Sequence, residues 1–465
     1  MSKNLILVGL GPYTKKSYIN FIKNNCILLS YVIELRSKET STIAFLKKNG
    51  FFNTSVYLID DKYRDDISLN ENDKKNLSII IKNNYITHAI ISTEPKAHYS
   101  YLKFFLEEKI NVLVEKPVVI TKGLSYDSSA RELMIEHMNE ICKLYQKNYN
   151  ELNISVMCQR RYSDVYLFIK NYISDIIKKY DIGITNMHIS TCDGMWNMPD
   201  EFYYRENHPY KYGYGKIMHS GYHFVDLLLY LLEENKKLIN KKITGLRIKS
   251  SAVYPSDSFR MINSEDYKTL FHTSIDYEED INKMNNQFGE IDVHSILDFV
   301  DDENHILTSV SMDMLQSGFS RRAWTDLPED TYKSNGRIKH SFIEINLGPL
   351  VSIKILAFQA LLEKEGNKGT ELGKNDHFEI QIYRNAQLIG GKVLEVFNIE
   401  DFTDKSEYFL GYNELYRERL FLDFLAGNKG KSDLLNHKST MNLVKNLYDS
   451  LEENQLIPFS LEGSE

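Results

Sequence analysis

"NLILVGLGPYTKKSYINFIK", residues 4 to 23, carries an apolar run, two glycines and then a change of period. Leu5 to Val8 have the composition of a buried strand, Gly9 and Gly11 punctuate a tight turn, and Tyr18, Ile19 and Ile22 recur at helical spacing. The stretch therefore predicts strand, turn, helix. Glycine lets the backbone pass close to a bound pyrophosphate, and Pro12 suits the first helical position, where its missing N–H costs nothing. Tyr13 follows it at the helix N-terminus, the end that favours an anion. Thr14 fills the third position of a G-x-G-x-x-G pattern, where a smaller residue is usual. Many strand-to-helix turns carry two glycines and no ligand, so the neighbouring segments decide.

A second strand, "ILLSYVIE", ends at Glu34, 23 positions after Gly11, where a carboxylate can hydrogen-bond a ribose 2′-hydroxyl. That favours NAD. Arg36, Ser37 and Lys38 follow at once and suit a 2′-phosphate, so NADP stays open. "THAIISTEPKAH" reads as a buried strand from His88 to Ser92 leaving into a loop. "YSYLKFFLEEK" reads as an amphipathic helix and "INVLVEKPVVI" as the next strand. Strands alternating with helices at this spacing imply an α/β fold with a parallel, doubly wound sheet of Rossmann type. Such sheets bind ligands beyond the carboxyl ends of their strands, where Thr93 and Glu115 to Pro117 fall.

With 465 residues, 42% of them hydrophobic, the chain is long enough for two cores. We divide it into a dinucleotide-binding domain at 1–160 and a substrate and oligomerisation domain at 161–465, with the helices of 414–452 packing back on the first. A formal net charge of -8 with dispersed basic residues offers no footprint for nucleic acid or an anionic membrane. A small-molecule partner is the default. Cys26, Cys142, Cys158 and Cys192 lie far apart with no CxxC pair, and read as reduced, buried fillers rather than a disulfide or zinc framework. No secretory signal pattern and no apolar run near the roughly 18 residues that span a bilayer are present, so a soluble, cytoplasmic protein is expected.

Several segments in order carry a family resemblance: "GLGPYT", "STEPKAH" with Pro95 and His98, "EKP" at 115–117, "QRRYSD" at 159–164 and "GYGKIMHSGYHFVD" at 213–226. "ERLFLDFLAGNKG" and "STMNLVKNLYDSLEENQLIPF" close the series. The set resembles the glucose-fructose oxidoreductase, inositol dehydrogenase and MocA-type oxidoreductases. Coverage is good over 4–232 and 414–459 and poor over roughly 250–410, where insertions are expected. The resemblance implies cofactor contacts from the glycine turn, Glu34, Arg36, Thr93, Pro95, His98, Glu115 and Lys116. It also implies that Lys116 reaches the reacting substrate oxygen. An ammonium that is partly desolvated near a cationic ring has its pKa lowered and can share a proton at neutral pH. A Lys116–Glu115 pair is the bland alternative, disfavoured because adjacent strand residues face opposite sides. Pro117 fixes the strand exit and is a candidate for a cis bond.

The family's last motif runs acid, three residues, histidine, then an acid three further on. His223 and Asp226 occupy its later positions, but the first acid is His219. The resemblance makes His223 the general acid or base, a role that suits imidazole. His219 either donates hydrogen bonds, replaces the base or selects a negatively charged substrate. Asp226 is expected to orient His223 or the backbone and is also a candidate substrate contact. A zinc site at His219 and His223 lacks further ligands: no glutamate follows His219, and Gly221 weakens the helix between the two. We expect no metal. Arg160, Arg161, Tyr204, Arg205 and Tyr212 surround the motif in sequence and are candidates for recognising substrate hydroxyls or carboxylates.

Beyond residue 160 the resemblance implies an α+β domain with an open, mainly antiparallel sheet, commonly the interface of a homodimer or homotetramer. "HSILDFVDDENHILTSVSMDMLQ" alternates as a hairpin turning at Asp301 to Asn304. "SFIEINLGPLVSIKIL" and "HFEIQIYRNAQLIGGKVLEVF" read as further strands, the latter turning at Arg384 to Ala386. The reading is an NAD(P)-dependent oxidoreductase acting on a carbinol or carbonyl carbon of a sugar, cyclitol or sugar-derived compound. Its rivals are an NAD-retaining glycosidase or lyase of the same family and a non-catalytic cofactor sensor, against which Lys116 and His223 argue.

Overall fold

The computed structural model describes residues 3–204, 206, 208–271, 275–284, 287–318, 320–322, 338–360, 377–402 and 412–452. Six strands form the first sheet: β1 (Asn4–Val8), β2 (Leu28–Leu35), β3 (Ser55–Ile59), β4 (His88–Ile91), β5 (Asn111–Val114) and β6 (Ile154–Val156). All pair in parallel in the order β3-β2-β1-β4-β5-β6, with the winding reversing between β1 and β4. Leu5 to Val8, Ala89 to Ile91 and Val112 to Val114 are all buried. That is what a sheet covered by helices on both faces demands, and why these strands read as unbroken apolar runs.

The remaining strands are β7 (Asn186–Cys192), β8 (Met195–Asn197), β9 (Gly245–Val253), β10 (Asp292–Val300), β11 (Ile306–Leu315), β12 (Ser320–Arg322), β13 (Ile338–Leu347), β14 (Val351–Ala360), β15 (His377–Arg384) and β16 (Leu394–Asn398). Eight of them form a second sheet in the order β16-β15-β14-β13-β7-β11-β10-β9, antiparallel except for the β7–β11 pair. β8 and β12 make a short parallel ribbon. In β10, Val293, Ser295, Leu297 and Phe299 are buried while His294 and Ile296 are exposed, the alternation of a sheet with one covered face. One contiguous apolar core runs from Ile6 and Val114 through Ile169 and Leu227 to Leu297 and Ile345, so the two sheets share an interior.

The helix Tyr412–Ala426 returns to the first sheet. Its Phe421 ring lies 6.3 Å from Tyr18 and 5.9 Å from Phe21, and Tyr416, Leu420 and Phe424 join Leu5 and Leu7 in one cluster. The helix Lys438–Ser450 packs on Ser128–Lys147 and on β9. Among the described residues no helix is long and apolar enough to cross a membrane.

Some boundaries differ from those read in the sequence. The strand drawn through "INVLVEKPVVI" stops at Val114, and the Lys116–Pro117 bond that follows is cis. The turn after Arg384 is longer than expected, with a helical turn at Ala386–Ile389 before β16. Cys26 is exposed, at φ 52°, whereas Cys142, Cys158 and Cys192 are buried. Within 250–410, the helices Pro255–Met261, Ser264–Phe271 and Glu278–Lys283 enclose a satellite core of Phe202, Tyr210, Phe259, Tyr267, Tyr277 and Phe288.

Candidate active site

The carboxyl ends of β1, β2, β4 and β5 open into a cavity of about 950 Å³, at the upper end of the roughly 300–1,000 Å³ usual for small-molecule sites. Gly9, Gly11, Pro12, Tyr13, Glu34, Thr93, Pro95, Glu115 and Lys116 line one wall. Arg160, Asp193, His219, His223 and Lys339 line the other.

Gly9 has φ +87°, and a Cβ there would stand 2.7 Å from the Ser92 carbonyl oxygen, so only glycine fits. A Cβ on Gly11 would meet open space, leaving room for a ligand against the turn. Thr14 is buried, and its hydroxyl lies 2.9 Å from the Ser92 hydroxyl. The unusual third residue of the fingerprint thus ties the helix to the end of β4. Glu34 is buried; its carboxylate accepts from the backbone N–H of Leu10 at 2.8 Å and of Leu35 at 2.9 Å. That clamps the glycine turn to the end of β2. Lys38 lines the cavity 3.8 Å from Glu34, Ser37 is bonded to Asp61, and Arg36 is exposed and off the lining.

Glu115 accepts from the Tyr18 hydroxyl at 2.6 Å, and burial raises its pKa. Lys116 turns the other way and donates to the backbone carbonyl of His219. Burial lowers the lysine's pKa, the Arg417 charge adds to this, and Glu115 opposes it. His98, expected at the cofactor, is fully buried behind the lining. Its ring nitrogens lie 2.8 Å from the Pro117 carbonyl and 3.3 Å from that of Thr93, so it braces the two strand exits.

His223 faces the cavity from the helix Tyr222–Leu232, its Nδ1 3.9 Å from the Cys158 sulfur. Burial holds its pKa well below the usual 6.5, reinforced by the charges of Lys116, Arg160, Arg417 and Lys339. The imidazole is therefore neutral at pH 7 and able to accept a proton. His219 sits on a π-helical turn, Ile217–Gly221, among the rings of Tyr210 at 4.9 Å, His208 at 5.1 Å and Tyr214 at 5.8 Å. Such turns recur at functional sites. Among the described residues the one cluster of three metal-ligating groups is Cys158, Asp226 and His437, which includes neither histidine.

Arg161 and Asp226, both expected at the substrate, are occupied with each other instead. The guanidinium donates to the two carboxylate oxygens at 2.9 and 2.7 Å, both residues are buried, and neither lines the cavity. Burial pushes the Asp226 pKa up, but Arg161 and His437 outweigh it and hold it well below the carboxylate range. Tyr204 is exposed. Tyr212 stands off the lining, its ring covered by Lys96 at 4.5 Å and Lys122 at 4.9 Å. Arg205 lies outside the described residues.

Sequence reasoning missed Asp193, Gln159 and Arg417. Asp193 follows β7 and is buried at the cavity wall; it accepts from Lys216 at 2.7 Å and Ser220 at 2.5 Å, and lies 3.7 Å from Lys339. A lysine inside the otherwise uncharged "YGYGKIMH" was the available signal, because a fully buried ammonium needs a buried acid.

Residues 4–131 match the model of an oxidoreductase family with an NAD-binding Rossmann fold, the Gfo/Idh/MocA oxidoreductases. Over those residues the chain is similar to that family's dinucleotide-binding domain. No curated protein matches the sequence. The whole fold is similar to an oxidoreductase from Agrobacterium radiobacter solved with NAD+, L-tartaric acid and magnesium, at TM-score 0.54 and 10% identity over 97% of each chain. It is similar too to the aldose-aldose oxidoreductase of Caulobacter crescentus, solved with glycerol, at TM-score 0.53 and 11% identity over 97% of this chain and 98% of that one. UDP-N-acetylglucosamine 3-dehydrogenase of Acidithiobacillus ferrooxidans gives TM-score 0.53 and 9% identity over 97% of both chains. At such identities the likeness is one of fold. For the Rossmann domain, the Gly9 turn, the open face of Gly11 and the clamped Glu34 fit a dinucleotide.

Proposed function

We propose that this protein is an NAD-dependent dehydrogenase or reductase acting on a CH–OH carbon of a sugar, cyclitol or sugar-derived compound. One observation carries the reading: a lowered-pKa lysine and a neutral imidazole, from two halves of the chain, line the cavity that begins at the glycine turn. The aldose and nucleotide-sugar activities named for two proteins of similar fold support the substrate class. When bound, a nicotinamide supplies the hydride acceptor or donor. His223 takes the hydroxyl proton as the carbinol is oxidised, and Lys116 stabilises the developing alkoxide. Asp193, held by Lys216 and Ser220, provides the buried carboxylate that position 219 lacks. Preference for NAD over NADP follows from Glu34, whose charge beside the turn repels a 2′-phosphate. Arg36, exposed off the lining, gives such a phosphate little help.

The buried thiols of Cys142, Cys158 and Cys192 suit a reducing compartment such as the cytoplasm. A homodimer or homotetramer through the outer face of the second sheet is part of the same proposal, checked by light scattering.

The test is a panel of sugars, polyols and nucleotide sugars with NAD+ or NADH, followed at the nicotinamide absorbance. Sustained reduction by one of them, lost by roughly 10²–10⁴-fold in Lys116→Ala with NAD+ affinity retained, is the expected result. Product without net reduction favours a lyase-like relative, and binding without chemistry a sensor. Near-wild-type turnover in Lys116→Ala removes the lysine from the chemistry.

A further inference from the structure

We propose that the substrate carries a carboxylate, held by Arg160, with a neighbouring hydroxyl donating to Gln159; the inference rests on the dehydrogenase reading and narrows its substrate class. Three arginines line the cavity among the described residues. Arg64 pairs with Glu94 and Glu206, and Arg417 with Glu414. Arg160 has no acid within ion-pair distance among the described residues.

The Arg160 guanidinium is nevertheless held in place. It lies 4.0 Å over the ring of Phe224, next in sequence to His223, and its Nη1 donates to the Tyr166 hydroxyl at 3.2 Å. Its Nε is buried with no hydrogen-bond partner among the described residues. A guanidinium stacked on a ring directs its remaining donors edgewise, the geometry that takes a carboxylate through two parallel bonds. Gln159, beside it and also on the lining, buries an Oε1 that likewise has no partner among the described residues. An amide oxygen so placed needs a donor, which a hydroxyl supplies.

The charges point the same way. Lys339 is offset by Asp193 at 3.7 Å, but among the described residues Lys116 hydrogen-bonds only to a backbone carbonyl, and Arg160 only to a phenol. Both cations bear on His223. A neutral polyol would leave the Arg160 charge without an acid partner in a partly desolvated wall, whereas a hydroxy acid or uronate supplies one. No acid of the described chain does this for Arg160.

The experiment uses the full chain loaded with NAD+ and three matched pairs: D-galacturonate with D-galactose, D-gluconate with D-glucitol, and D-glycerate with glycerol. Binding is measured by calorimetry and hydride transfer by absorbance. In at least one pair the acid is expected to bind at least about tenfold tighter than its neutral partner. Arg160→Met should bring that ratio to within about twofold, chiefly through KM, while NAD+ affinity stays unchanged; Arg160→Lys should restore part of it. Neutral members binding as well as acids in every pair overturns the proposal in the wild-type protein, with no variant required. An acid preference that survives Arg160→Met overturns it as well. Arg160-dependent acid binding with no hydride transfer from any compound to NAD+ leaves the subsite standing and removes the dehydrogenase reading. Turnover of neutral sugars without acid preference does the reverse.

Discussion

At the level of single residues, Glu34 shows what a strand-end acid does besides waiting for a ribose. It clamps Leu10 and Leu35 through its two oxygens, so it shapes the turn and sets its charge at once. Glu34→Ser is therefore expected to shift the ratio of kcat/KM for NADP over NAD upward about tenfold or more, with a stability loss of roughly 1–3 kcal/mol from the freed N–H groups. An unchanged ratio separates the residue from the ribose. His223 gives a second test. Its pKa lies well below 6.5, so the proton-accepting form persists into acid solution. The acid limb of kcat/KM for oxidation should fall below pH 6.5, and replacing Arg160 or Lys339 with neutral residues should move it upward. An inflection at the ordinary histidine value would show the imidazole to be solvated. That Gly9, Glu34, Lys116 and His223 line one cavity was legible, because the chemistry proposed for each needs that residue type at that step. Arg161 and Asp226 were misassigned because a buried ion pair and a substrate clamp use the same residues, and only the fold shows which way they face.

Elements were legible in proportion to their burial. β1, β4 and β5 announced themselves as apolar runs, and the β10–β11 hairpin by alternation around a turn where Asn304 takes φ 69°. The helices between 255 and 284 were not, being short and folded around a small core of their own. The π-helical turn under His219 left no mark either, since one extra residue per turn is invisible to a periodicity of 3.6. The helix Tyr412–Ala426 matters more to the site than its distance in sequence suggests. Its Glu414 accepts from Ser17 at 2.8 Å and its Arg417 reaches the cavity beside Tyr13, while Phe421 fills the space between helix and sheet. Phe421→Ala should destabilise the chain by about 3–5 kcal/mol, in the range for a buried aromatic, and weaken NAD+ binding by loosening the turn. Chemical denaturation and a dinucleotide titration measure the two effects. A stability loss without weaker binding would mean that the helix supports the sheet but not the turn.

Over the whole molecule the same interior serves both sheets, so the charge states of buried groups set a common stability. Arg64, after β3, bridges Glu94 of the first half and Glu206 of the second, which ties the two walls of the cavity at its rim. Deeper in, His88 and His98 are pushed by burial from 6.5 down to about 4. Between these values the unfolded chain binds protons that the fold refuses, so the stability they confer is complete above pH 6.5 and is lost as pH falls toward 4. Each should cost on the order of 1 kcal/mol between pH 7.5 and 5.5. Glu115 and Glu290, buried with raised pKa, act with the opposite sign: the fold keeps protons that the unfolded chain releases, and stability declines as pH rises above 4.5. The net slope therefore mixes the two classes, and a difference between variants isolates one histidine. His88 stands on β4 with its ring edge-on to Phe424 at 5.3 Å, so His88→Gln removes a titrating group without touching the cavity lining. Its stability should fall by about 1 kcal/mol less than that of the wild type between pH 7.5 and 5.5, as read from urea midpoints at each pH. Parallel midpoint curves for the two proteins would show that His88 takes up its proton as readily in the fold as in the open chain, and that its burial does not set the acid limit of this structure.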